Sequence, residues 1–209
     1  MAILIWIYLI LFILVYLFLI LGSKDLKKHN FVSTKLLFII GILLLVWYIL
    51  LYICYMFPTP TETIIRFIYL FFLGFGFIRF GIIYQVLHII LGIGFIKVGS
   101  NNREQGGKVM LVGGVLYLLA CILSTIGWIF DLNYIVGFFG FPIPSAIFYI
   151  ISIMYWLFNI VSLAAVILIF IFSIFTKRPL FIVFGALFLA VYSIQFSMFI
   201  NIYFLGLVP

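Results

Sequence analysis

Chemistry in this chain would have to begin at His88. It stands inside an apolar run, with Gln85 three residues before it and Tyr84 four before it, so all three share one face of a helix. An ionisable side chain within a membrane span is a functional site by default. An imidazole there can ligate a haem iron, hydrogen-bond a quinone or pass a proton. A b-type haem needs a second axial ligand. The other histidine, His29, belongs to a polar gap at a different depth, which leaves Met154 or Met198 as substitutes. The simpler expectation is a neutral histidine bonded to a neighbouring helix. No cofactor is expected on that basis, with haem b or quinone at His88 as the alternative.

Much of the usual catalytic inventory is missing. The chain has no HExxH, no nucleotide-binding glycine loop and no pair of carboxylates within one span. Its four acidic residues leave little for general acid–base work, and two histidines cannot build a copper or di-iron site. Cys54 and Cys121 lie in apolar runs without CxxC spacing, so they read as buried small residues and no metal site is expected. Intrinsic catalysis is not expected.

The elements that must position His88 follow from composition. The 209 residues are 69% hydrophobic and 7% charged, with a mean hydropathy of +1.51. Soluble domains carry roughly a quarter charged residues, so the chain reads as an all-α, polytopic membrane protein. Runs of about twenty apolar residues can cross the hydrocarbon core. They cover residues 2–21, 36–57, 64–96, 109–130, 146–175 and 180–207, forming a single transmembrane domain of six helices. The first run has no basic segment before it and is long for a cleavable signal, so it is expected to be retained.

Charge orients the spans. Of eleven Lys and Arg residues, nine lie in three gaps: Lys24, Lys27, Lys28 and Lys35; Lys97, Arg103 and Lys108; Lys177 and Arg178. The positive-inside rule then places these gaps in the cytoplasm, both termini outside and the protein in the plasma membrane. Only Arg66 and Arg79 remain on the outer side. The net charge of +7 is topogenic, and no nucleic acid is expected. Two outer segments, Phe57-Pro58-Thr59-Pro60 and Phe141-Pro142-Ile143-Pro144, break the chain before a helix start and hint at an internal repeat. The polar stretch between Gly99 and Lys108 reads as a flexible loop.

Small and polar residues mark faces that meet protein, because greasy faces gain nothing by pairing in lipid. Helix 3 carries Gly81, Gln85, His88 and Gly92; helix 4 carries Gly113, Tyr117, Ala120, Ser124 and Gly127. Helix 5 carries Ser145, Ser152, Asn159 and Ser162; helix 6 carries Ala186, Ala190, Ser193, Ser197 and Asn201. The first two helices lack such stripes and are expected on the flank of a four-helix core. A polar core or pathway would then be lined by Gln85, His88, Ser124, Asn159, Ser193 and Asn201.

Three functions fit this reading. The leading one is a non-catalytic integral subunit of a larger membrane complex, of the respiratory or another energy-transducing kind, with a structural or assembly role. Its partners would be the lipid bilayer and other integral subunits. An overlong third helix and the apolar loop before residue 145 motivate it, since greasy surface near water tends to be covered. The alternatives are a small transporter or channel along the polar pathway, and an electron-transfer subunit holding haem b or quinone at His88.

Overall fold

The computed structural model describes the backbone of residues 2–56, 82–137 and 145–204, and the side chains of residues 7, 10–50, 82–127, 153–197 and 200. These residues form six helices: α1 (Ala2–Lys28), α2 (Thr34–Met56), α3 (Ile82–Asn101), α4 (Gly107–Gly137), α5 (Ser145–Phe175) and α6 (Pro179–Phe204), with a 3-10 turn at Arg103–Gln105 before α4. Stretches within α3, α4, α5 and α6 are long and apolar enough to cross a membrane. Large aliphatic residues such as Val46, Val86, Val115 and Ile160 stand exposed on the outer surface. In water that surface would be untenable; against lipid tails it is the appropriate face, and the chain is built to be integral to a membrane.

Among the described residues the helices form a closed ring. Each packs on its neighbours in sequence, and α1 closes the circle by packing on both α2 and α6. The expectation of a four-helix core with the first two helices on its flank is corrected by this arrangement. Helix α1 buries Phe12, Val15, Tyr16 and Leu19, and α2 buries Leu37, Ile40, Leu44 and Tyr48. Bulky apolar faces can be interior faces when the ring encloses a volume that only large side chains fill. A small-residue stripe permits a close helix pair and says nothing about who lines the centre.

Close pairs do occur, and α3 with α4 is the tightest. A Cβ on Gly114 would lie 2.7 Å from the Ile96 backbone nitrogen, and one on Gly99 would fall on the backbone of Leu111. Helix α3 continues past the expected end at residue 96 to Asn101, and the polar stretch after it forms a 3-10 turn at Arg103–Gln105. Asn102, 5% exposed, donates through Nδ2 to the carbonyls of Val98 (2.7 Å) and Val32 (3.0 Å), and its Oδ1 accepts from the Val32 amide at 2.9 Å. One amide side chain thus staples the α3–α4 turn to the α1–α2 turn. Gly106, at φ 83°, turns the chain into α4.

The α1–α2 turn closes with its own carbonyl cap. Asn30 adopts the left-handed conformation (φ 65°), its amide reaches the Lys27 carbonyl, and the Phe31 amide reaches that of Leu26. The α5–α6 turn is held by Thr176, whose hydroxyl donates to the Ser173 carbonyl at 2.6 Å and accepts from the Arg178 amide at 3.3 Å. All three turns lie at the end of the ring that carries the basic residues.

Several sequence expectations fall outside the described residues: residues 64–81 of the third run with Arg66, Arg79 and Gly81, both proline segments, and the side chains of Cys54, Ser145, Ser152, Met198 and Asn201. Cys121 is buried in α4.

Candidate functional site

The interior of the ring divides by depth. Toward the basic end it is filled with phenyl rings. Phe181, Phe184, Phe188 and Tyr192 recur at steps of three and four along α6, which places them on one face. Their successive ring centroids are 5.2, 5.3 and 5.0 Å apart. Phe172 joins the lower end at 6.0 Å from Phe181, and Phe31 lies 6.3 Å beyond it. Phe95 of α3 packs across the ring on Phe184 and Phe188 at 6.3 and 6.1 Å. These side chains are all buried, so the basic half of the ring is filled.

Farther from the basic end the filling becomes polar. His88 is 1% exposed and both ring nitrogens are engaged. Nδ1 lies 3.0 Å from the Tyr84 carbonyl, and Nε2 lies 2.9 Å from the Tyr16 hydroxyl of α1. A carbonyl only accepts, so Nδ1 carries the proton, and in the neutral ring Nε2 accepts from Tyr16. The imidazole also stacks on the Tyr84 ring at 3.8 Å between centroids. A haem iron or a quinone oxygen would have to displace Tyr16 to reach Nε2.

Three further pairs surround this one. Gln85 donates through Nε2 to Ser124 at 3.2 Å, and its Oε1 shares the Thr125 hydroxyl (3.3 Å) with the Cys121 carbonyl (2.8 Å). The hydroxyls of Tyr117 and Tyr192 meet across the ring at 3.0 Å. Asn159 donates to the Tyr155 carbonyl at 2.7 Å, while Gln195 reaches its Oδ1 at 3.5 Å. Together these contacts tie α1, α3, α4, α5 and α6 through side-chain hydrogen bonds in the core.

Of the residues expected to line a polar core, Gln85, His88, Ser124 and Asn159 are buried inside the ring. Ser193 is not among them. It stands exposed on the outer face of α6 together with Ala186, Ala190 and Ser197, and the side chain of Asn201 lies outside the described residues. The α6 stripe points outward because the inner face of that helix must supply the large rings that fill the centre. By contrast, the α4 stripe of Gly113, Tyr117, Ala120, Ser124 and Gly127 is buried throughout, since α4 is clasped between α3 and α5.

Sequence reasoning passed over Tyr16, Tyr192, Thr125 and Gln195. Their signal was present: a tyrosine in a greasy run brings a hydroxyl that needs a partner when buried. Counting only glycine, serine, asparagine and their kin hid Tyr16 in an otherwise featureless first helix. Asn102 was equally legible as the polar side chain of a Gly-flanked turn. Neither family models, curated protein sequences nor solved structures yield a match to this chain.

Proposed function

We propose that this chain is a non-catalytic integral subunit of a larger membrane assembly, contributing structure rather than chemistry. The observation that carries the reading is that the polar side chains around His88 are hydrogen-bonded within the chain. Gln85, His88, Tyr117, Ser124, Asn159 and Tyr192 each have a hydrogen-bond partner in this chain, in a ring whose basic half is filled with phenyl groups. A satisfied polar network specifies one arrangement of helices and rigidifies it. A transport pathway would instead present unpaired polar groups to a space that a solute can occupy. In this reading all six helices span the plasma membrane, both termini lie outside, and the basic turns face the cytoplasm.

The test is extraction from native membranes in mild detergent through a tag on this chain. The mass and protein content of the assembly are measured, with an absorbance spectrum of the same fraction. Stoichiometric integral partners are the expected result. A bare 24.1 kDa chain or a homo-oligomer would overturn the subunit reading and bring the transporter forward. A Soret band carried by the isolated chain would overturn it in favour of an electron carrier. Orientation is checked separately by placing a cysteine at Gln105 in a cysteine-free background. Labelling by an impermeant thiol reagent only after the membrane is opened is expected.

A further inference from the structure

Where the three basic-end turns converge they leave an open cup of about 590 Å³. The α1–α2 turn contributes His29 and Phe31, the α3–α4 turn Glu104 and Gln105, and the α5–α6 turn Phe175 and Arg178. The guanidinium Nε of Arg178 is buried and has no hydrogen-bond partner among the described residues. A buried donor left unpaired is costly, more so on a charged group, and native structures rarely leave one without a reason. The turns at this end carry nine Lys and Arg residues against Asp25 and Glu104, and of the nine Arg178 lines the cup. Asp25 lies 3.5 Å from the His29 imidazole. Glu104 lines the cup, yet no ion pair joins it to Arg178.

We propose that this cup binds a phosphate group, with Arg178 as the residue that engages it. A guanidinium presents a planar fork of donors that matches two oxygens of a phosphate, and the net positive charge of the turns favours an anion's approach. The rings of Phe31 and Phe175 line the apolar side of the cup. Glu104 opposes the anion and sets a ceiling on its affinity. The phosphate can belong to an acidic lipid headgroup or to a free phosphorylated solute; the chemistry at Arg178 is the same. The inference does not depend on the subunit reading, because it concerns the turns and not the spans.

The test uses the full chain in nonionic detergent, following its thermal-unfolding midpoint as inorganic phosphate replaces chloride at constant ionic strength. Phosphate is expected to raise the midpoint of the wild type, and Arg178→Gln is expected to weaken the apparent affinity by about tenfold, the value of one charge-assisted bond. A second arm compares nanodiscs of phosphatidylcholine with and without phosphatidylglycerol. Stabilisation by phosphatidylglycerol that needs Arg178 and pre-empts the phosphate effect identifies a headgroup; an unchanged phosphate response identifies a free solute. Equal responses in wild type and Arg178→Gln, or none to either probe, would overturn the proposal. Should Arg178→Gln fail to fold, Glu104→Gln decides: it is expected to tighten phosphate binding about threefold by removing a like charge, and unchanged or weaker binding would sink the idea.

Discussion

Two depths of the same ring are filled by opposite means. Near the basic turns, Phe95, Phe172, Phe181, Phe184 and Phe188 occupy the centre with carbon alone. Around His88 the centre is held by hydrogen bonds that pair Tyr16 with His88, Gln85 with Ser124, Tyr117 with Tyr192 and Gln195 with Asn159. In water the first region would draw on the hydrophobic effect. In lipid that force between helices is absent, and phenyl rings stabilise the ring only through contact and shape. The polar region gains a modest amount per bond, because separated helices in a bilayer also find partners for their polar groups. The difference teaches that the phenyl region supplies cohesion while the polar region supplies register.

The comparison can be broken most severely where both regions depend on one close approach. Gly99→Ala places a methyl group on the Leu111 backbone and forces α3 from α4. We expect a loss of more than about 3 kcal/mol, or no folded protein, in detergent unfolding titrations. A midpoint like that of the wild type would show that the two helices do not pack this closely.

Phe188→Ala tests cohesion directly. It should cost about 2 kcal/mol, below the ~3–5 typical of water-soluble cores because no transfer from water is lost. A cost under that of any polar-region variant would reverse the assignment of cohesion.

The polar region is probed by Tyr16→Phe, which leaves His88 Nε2 without its donor. The expected loss is about 1 kcal/mol. In a double-mutant cycle with His88→Leu, a coupling of similar size should appear; additivity would mean that the bond contributes nothing to register. The smallest effect belongs to the outer face. Ser193→Leu should change stability by less than about 0.5 kcal/mol, because among the described residues the side chain stands exposed. A larger loss would signal an occupant on that face.

Much of this organisation could be read from the chain. Buried Gln85, His88, Ser124 and Asn159 follow from the cost of leaving amide, imidazole and hydroxyl groups in hydrocarbon. The inward stripe of α4 follows from the same rule. Tyr16 escaped because its ring is counted with the hydrophobic residues, while its hydroxyl joins the polar set. The α6 stripe misled for another reason: small residues permit close helix contact without requiring it, so Ala186, Ala190 and Ser193 were compatible with either face.

By itself the sequence determined the helical class and the apolar exterior, since backbone amides in hydrocarbon must be satisfied within each segment. It also determined the collection of positive charge in three short turns. Only the tertiary structure decided that α1 closes a ring with α6, that phenyl groups plug one half of it, and that three turns converge around Arg178. Those outcomes depend on how large rings from helices distant in sequence fill a common volume, and no local pattern along one helix encodes that fit.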